Sequence, residues 1–138
     1  MILADTNVLS DILHDEPRFA KASAAALVNA QTLRRVIINP VVLAELTVRY
    51  TDFDLLLEQL NGLSIQIEDR ISKDAAFLAG EAHRSYRMSG GQRTTILADF
   101  LIGGHAQSLG AAILTRDTRR FAGYFPSVEL ITPETTHG

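Results

Sequence analysis

The sequence predicts a single α/β domain whose parallel sheet is covered on both faces by helices. Short β-rich runs recur along the chain, and the segments between them have helical patterns. Most of these runs are too short and too apolar to be half-exposed antiparallel strands, which favours a buried parallel sheet. No repeat, low-complexity block or linker divides the 138 residues, so we predict one domain over 1–138.

Five β-rich runs predict the strands of this sheet. Each is short and bounded by polar or turn-forming residues, as buried strands usually are. The runs are ILAD at 2–5, VIIN at 36–39, SIQI at 64–67, AILT at 112–115 and VELI at 128–131.

Two helices have clear start signals. Asn39 can cap a helix whose first position is Pro40, opening the segment VVLAELTVRY. Ser72 can cap a second helix that runs to about Arg87. Both helices fall between predicted strands, in the alternation that favours a parallel sheet.

A third helix is delimited by glycines. Gly90-Gly91 breaks the chain after the second helix, and Thr94 or Thr95 can restart it. The segment ILADFLIGGHAQSL then runs to Gly110, and glycine is the commonest residue just past a helix end.

The composition is that of an ordinary globular protein. Hydrophobic residues make up 46% and charged residues 21% of the chain, which excludes wholesale disorder. No apolar run approaches the ~18–20 residues that cross a bilayer, and the N-terminus has no features of a secretory signal. The absence of cysteine excludes disulfides and thiolate metal sites. We therefore expect a cytoplasmic protein without a membrane anchor.

The charge is unevenly distributed. The net charge is −3, yet the stretch 84–120 carries a net charge of +4. Arginine greatly outnumbers lysine, and its planar donor fork suits phosphate groups, so a polyanionic partner is one interpretation. Solvated helix faces rich in arginine are the other. The charges of the stretch are Arg84, Arg87, Arg93, Arg116, Arg119 and Arg120 against Asp99 and Asp117.

Two aspartates follow predicted strands. Asp5 closes the first strand, and Asp117 comes two residues after the fourth. In an open parallel sheet, ligands bind outside the carboxyl ends of the strands. We therefore expect both carboxylates at the same edge of the domain.

Glu45 lies on a predicted helix among valines. Its neighbours at i−4, i−3 and i+3 are Val41, Val42 and Val48, which predicts a position at the edge of the buried face, where burial disfavours the charge. A salt bridge to Arg49 at i+4 is the equally favoured alternative.

Asp99 has a similar setting. Ile96 and Ile102 flank it at i−3 and i+3, and it lies near a helix start, where the helix dipole favours a carboxylate. An ordinary aspartate of a first helical turn would look the same.

Taken together, the four acids predict a cation site. If they met without a counter-ion, each close pair would repel by ~4 kcal/mol at ~4–5 Å and an effective dielectric of ~20. Several such pairs would cancel much of a domain's stability of ~5–15 kcal/mol. Protons or a cation must neutralise the cluster. With oxygen ligands alone, Mg²⁺ or Mn²⁺ is the expected cation.

The sequence resembles a PIN domain, and within that group the VapC-type toxins of bacterial toxin–antitoxin pairs. The resemblance covers essentially the whole chain in the expected order. It is carried by ILADTNVLS, NPVVLAEL, LADFLIGGHAQSLGAAILTRD and the closing RRF…VELITP.

The resemblance implies a three-layer α/β/α sandwich around a mostly parallel sheet of about five strands. It implies an acidic quartet of catalytic metal ligands for Mg²⁺ or Mn²⁺, with Asp5 and Asp99 as principal ligands. Three further side chains would hydrogen-bond the acids or metal-bound water. By this resemblance the quartet is Asp5, Glu45, Asp99 and Asp117, and the supporting residues are Thr6, Asn7 and Thr115.

The implied reaction is metal-dependent endonucleolytic hydrolysis of RNA, with a small antitoxin protein and a second copy of the chain as partners. We hypothesise that arginines beside the acids hold the RNA backbone; these are Arg93, Arg116, Arg119 and Arg120. The apolar helices at 40–60 could form the dimer or antitoxin surface, or belong to the core. A catalytically silent binding module with the same fold remains the alternative function.

Overall fold

A computed structural model describes residues 1–93 and 96–133 of the chain. Within these residues, five strands form one sheet in the order β3-β2-β1-β4-β5, and every strand pairing is parallel. The predicted strands are confirmed, each shorter than its sequence run. They are β1 (Ile2–Ala4), β2 (Val36–Ile38), β3 (Gln66–Ile67), β4 (Ala112–Leu114) and β5 (Leu130–Ile131).

Helices flank the sheet, which confirms the predicted α/β/α architecture. In the described part of the chain they number seven, and a helix separates each strand from the next. They are α1 (Thr6–Leu13), α2 (Ala20–Leu33), α3 (Pro40–Thr47), α4 (Phe53–Gly62), α5 (Lys73–Met88), α6 (Leu97–Leu109) and α7 (Arg119–Ala122). None of the described helices is long and apolar enough to cross a membrane.

The predicted helix signals are present as hydrogen bonds. The side chain of Asn39 accepts from the backbone N–H of Val42, and that of Ser72 accepts from the backbone N–H of Ala75. Gly110 ends α6 in the left-handed conformation with φ of 65°. The predicted restart at Thr94 or Thr95 lies outside the described residues.

The strand order determines where a site can form. β1 lies in the middle of the sheet, the chain adds β2 and β3 on one side, and it later adds β4 and β5 on the other. The side on which the chain adds strands therefore changes between β1 and β4. Ligands of open α/β sheets bind at the carboxyl ends of the strands at such a switch point. All three residues of each of these two strands are buried, which fixes the strand ends firmly.

Helix α6 is held against α5 at a glycine. A Cβ built on Gly104 would lie 2.7 Å from the carbonyl oxygen of Ala75 and 2.8 Å from the backbone nitrogen of Ala79. Since both obstacles are backbone atoms, neither can turn aside. The close approach of α5 and α6 thus depends on the missing side chain at this position.

We predict that Gly104→Ala destabilises the protein by about 1–3 kcal/mol, because the added methyl group forces the helices apart. The control is Gly80→Ala on α5, where nothing lies within 4 Å of the added carbon. That change should stabilise the helix by roughly 0.5–1 kcal/mol. Urea unfolding measures both, and equal stabilisation by the two variants would contradict the packing argument.

Candidate functional site

The carboxylate of Asp5 is anchored at the switch point of the sheet. Asp5 follows β1 and is fully buried. One oxygen accepts a hydrogen bond of 2.8 Å from the backbone N–H of Thr6, so that Asp5 caps α1. The other accepts a hydrogen bond of 2.7 Å from the hydroxyl of Thr115, which follows β4. Residues from the two central strand ends therefore hold this buried carboxylate in one orientation.

Three of the predicted acids meet around one arginine side chain. The guanidinium of Arg120 pairs through Nη2 with Asp5 and through Nη1 with Asp99. Its Nε lies 3.5 Å from a carboxylate oxygen of Asp117. The structure thus brings together acids from the end of β1, from the first turn of α6 and from the loop after β4, and it places a positive group among them.

The pKa of Asp99 depends on burial and on the charges around it. Burial raises the pKa of its carboxyl group, the charge of Arg120 lowers it, and the nearby carboxylates of Asp5 and Glu45 raise it again. The net direction is upward. All four predicted acids therefore belong to one electrostatic cluster.

Glu45 lies at the open side of the cluster. It is exposed, and Oε1 accepts a hydrogen bond of 2.6 Å from the hydroxyl of Thr6. The predicted position at the edge of the buried face is wrong, because α3 ends at Thr47 and Val48 beyond it is 85% exposed. Among the described residues, no ion pair joins Glu45 to Arg49.

The loop that carries Asp117 is tied to the start of α1. The hydroxyl of Thr115 accepts from the backbone N–H of Asp117 at 3.0 Å while donating to Asp5. The side-chain oxygen of Asn7 accepts from the backbone N–H of Arg116 at 3.2 Å. The three residues predicted to support the acids, Thr6, Asn7 and Thr115, all make hydrogen bonds that orient the cluster or its loop.

A fifth acid, Asp11, lies near the site and was not predicted from the sequence. This residue is only 3% exposed and accepts from the hydroxyl of Ser23 at 2.7 Å. It also accepts from Arg116, at 2.7 Å from Nε and 3.1 Å from Nη2, and that guanidinium stacks on the ring of Phe19. The available signal was its spacing, since Asp11 stands one helical turn after Asn7 on the same face of α1.

The arginines line a groove beside the acids. This groove of about 630 Å³ adjoins a second groove of about 410 Å³, which Asp5, Thr6 and Glu45 line. Arg93 and Arg119 are exposed, and their backbone N–H groups donate to Tyr86 and Asp117 respectively. The residues shared by both grooves are Arg116, Asp117 and Arg120.

The donor set suits a hard divalent cation, although a rearrangement is required. The cluster offers carboxylate oxygens, which Mg²⁺ and Mn²⁺ prefer, and it already draws one cationic group, Arg120, into its centre. As it stands, no group of three or more acidic or histidine side chains in residues 1–93 and 96–133 is arranged to hold a metal ion. The residues therefore fit a metal by chemistry and charge once the guanidinium moves.

A buried polar pair connects the helices that carry Glu45 and Asp99. The side-chain nitrogen of Asn39 lies 3.2 Å from Nδ1 of His105, and both residues are buried. Because the oxygen of Asn39 already caps α3, its amide group donates to Nδ1 and the imidazole is neutral. Burial lowers the pKa of His105, partly offset by Glu68.

This pair predicts a loss of stability on acidification. Because the pKa of His105 is lower in the folded chain than its ordinary value, the unfolded chain binds more protons as the pH falls through that value, near 6.5. The stability present above this range is therefore lost below it. We expect His105→Gln to lose less stability than the wild type between pH 7.5 and 5.5 in urea unfolding, and equal losses would refute the assignment.

Comparison with known proteins supplies a family and a fold. A model of the PIN domain family matches residues 2–124. No curated protein sequence matches the chain. Among solved structures, it is similar to VapBC2 from Rickettsia felis bound to a DNA fragment from their promoter, at 21% identity and a TM-score of 0.74 over 97% of this chain and 100% of that chain.

Two further structures have comparable similarity. A toxin–antitoxin complex from Klebsiella pneumoniae shares 24% identity, with a TM-score of 0.70 over 97% of this chain and 98% of that chain. FitAcB from Neisseria gonorrhoeae shares 23% identity, with a TM-score of 0.64 over 96% of this chain and 98% of that chain. At these identities the similarity establishes the fold.

Proposed function

Because the chain belongs to the PIN domain family, we propose that it is one PIN domain over 1–138 that acts as a metal-dependent endoribonuclease, the toxin of a toxin–antitoxin pair. The observation that carries this proposal is the meeting of Asp5, Asp99 and Asp117 on one cation at the switch point of the sheet. Four carboxylates would not be gathered there without a positive charge to balance them.

The depths of the four acids suggest their roles. Asp5 is fully buried and the side chain of Asp99 is 16% exposed, so they are the principal ligands for Mg²⁺ or Mn²⁺. Glu45 and Asp117 reach solvent, and we assign to them contact with the metal through water, or with a second metal, and orientation of the attacking water. When bound, the divalent ion supplies Lewis acidity toward that water and toward the phosphoryl oxygens.

The chain prepares these roles through fixed hydrogen bonds. Thr115 and the backbone of Thr6 orient both oxygens of Asp5 before any substrate binds. The hydroxyl of Thr6 holds one oxygen of Glu45, which leaves the other directed at solvent or water. Preorganisation of this kind lowers the cost of aligning charges at the moment of reaction.

The groove lined by arginines supports RNA as the substrate. An acidic site repels a phosphate backbone, and the exposed guanidinium groups of Arg93 and Arg119 offset that repulsion beside it. Arg116 uses Nε and Nη2 on Asp11, so it reaches the groove from a fixed position through its remaining nitrogen. Arg120 lines both grooves and can act on either side.

The proposed partners are a small antitoxin and a second copy of the chain. The similar structures carry the names of toxin–antitoxin complexes, some bound to DNA. In α4, Leu56 and Leu60 belong to the core, whereas Phe53 and Leu55 are exposed. The inner face of the run FDLLLEQL therefore packs in the core, and its outer face is available to a partner. Both uses predicted from the sequence are compatible with this arrangement.

One observation favours the alternative of a catalytically silent binding module. Arg120 already occupies the centre of the acids, and the described carboxylates do not form a ready metal cage. In that alternative the arginine would replace the metal permanently, and the fold would act through partner recognition alone.

The nuclease proposal predicts that Asp5→Ala and Asp99→Ala each reduce Mn²⁺-dependent RNA cleavage by on the order of a hundredfold or more, because each removes a ligand charge. Cleavage of a labelled RNA gives the rates, and circular dichroism checks the fold. The control is Asp54→Asn, an exposed acid in the first turn of α4. Equal cleavage by all variants would point to a contaminating nuclease, and no cleavage by the wild type would favour the silent module.

The RNA groove predicts that Arg93→Ala and Arg119→Ala weaken binding of an RNA oligonucleotide and reduce the slope of affinity against salt by about 1 each. Arg34→Ala is the control, since Arg34 pairs with Glu129 at the amino end of the sheet. The slope is measured by fluorescence anisotropy with Asp99→Asn in the background. An unchanged slope for both groove variants would exclude them from RNA binding.

A further inference from the structure

Arg120 makes an unusual set of contacts for an arginine beside an acidic site. Each of its three guanidinium nitrogens lies against a different carboxylate, those of Asp5, Asp99 and Asp117. The side chain is largely withdrawn from solvent, with 26% exposed, and its guanidinium also lies 5.1 Å from the ring of Phe121. This position is inside the cluster rather than on its rim.

The contacts have a clear electrostatic reason. Without a positive charge the three carboxylates would repel one another in a partly buried place, and this repulsion would oppose folding. A guanidinium is permanently charged in proteins and can bond several carboxylates through its planar fork. Arg120 therefore neutralises carboxylate charge in the cluster, a role that the sequence predicts for a metal or for protons.

Arg120 and a metal ion would compete for the same carboxylates. A divalent ion binds carboxylate oxygens at about 2.0–2.2 Å, which would bring the positive guanidinium into direct contact with the ion. The two cations repel, and the lone pairs of Asp5 and Asp99 that face Arg120 are already engaged. Repulsion between the two cations therefore disfavours their binding to the cluster at the same time.

The groove beside the acids has space for the side chain of Arg120 outside the cluster. Arg120 lines the groove of about 630 Å³ beside the acids as well as the acidic groove itself. The contact of Nε with Asp117 is the weakest of the three, because Nε is buried without a hydrogen-bond partner. Because Arg120 lines both grooves, a rotation of its side chain is the movement that displacement from the cluster would require.

We propose that Arg120 is the resident counter-cation of the acid cluster and that a divalent metal ion binds only by displacing it. This inference rests on the proposed metal-dependent function and adds a competition within the chain. The apparent affinity for metal is then reduced by the fraction of molecules in which Arg120 is inside the cluster. Arg120 sets how much metal the protein needs and keeps the metal-free fold stable.

The first test measures Mn²⁺ binding by the electron paramagnetic resonance signal of free Mn²⁺, for the wild type, Arg120→Gln and Arg119→Gln. We expect Arg120→Gln to tighten binding about tenfold or more, because every molecule then has an open cluster. Arg119→Gln removes the same charge one position away, from a side chain that is exposed. It calibrates the simple effect of net charge and should tighten binding far less.

The second test measures thermal unfolding in EDTA and after addition of Mn²⁺. Arg120→Gln should lower the Tm of the metal-free protein by roughly 3–8 °C, because the carboxylates lose their counter-ion, and Mn²⁺ should restore it. Arg119→Gln should do neither. If Arg120→Gln does not fold without metal, Arg120→Lys keeps a charge that cannot bridge three acids, and it should bind Mn²⁺ more tightly than the wild type.

The outcomes separate this inference from the proposed function. Equal Mn²⁺ affinities for the two glutamine variants, or weaker binding by Arg120→Gln, would overturn the competition even if the wild type cleaves RNA. Tighter binding by Arg120→Gln in chains that cleave no RNA would support the competition while refuting the nuclease. If Arg120→Gln binds Mn²⁺ and the wild type binds none, the competition is supported, and the arginine has fully replaced the metal in the wild type.

Discussion

The site is organised by the need to neutralise carboxylates gathered at one edge of a parallel sheet. Asp5 is fully buried, and charge in such a place is tolerated only where hydrogen bonds and a counter-ion stabilise it. The hydroxyl of Thr115 and the guanidinium of Arg120 both contact this carboxylate and stabilise it. The stability of a cluster balanced in this way therefore depends on the cation at its centre.

Topology makes this gathering possible. Asp5 and Arg120 are 115 positions apart, yet they meet because β4 pairs with β1 and both strands end at the same edge. The apolar strands and the tight α5–α6 contact at Gly104 hold these ends in place. The polar network then adds precision at low cost, since its members start from fixed backbones. The core therefore determines where the acidic cluster forms.

The parts of this structure that sequence predicts are those with local causes. Neighbouring residues determine the strand runs, the cap at Asn39 and the end of α6 at Gly110. The position of the sheet edge follows from these elements. Asp11 and the inward turn of Arg120 were not predicted, because a long or isolated polar side chain is placed by partners remote in sequence. The exposure of Glu45 was missed for another reason: α3 ends before the third valine, so the helical pattern did not extend that far.

The charges explain why an arginine inside the cluster is compatible with metal binding. Three carboxylates pair with one guanidinium and Glu45 lies close by, so the cluster retains a surplus of negative charge. In the proposed competition, a divalent ion would bring twice the charge of Arg120 in a smaller volume to the buried oxygens of Asp5 and Asp99. By the same proposal, a guanidinium displaced into the adjoining groove would lower the repulsion toward a phosphate chain there. One residue would then stabilise the metal-free fold and, once displaced, favour binding of a polyanion.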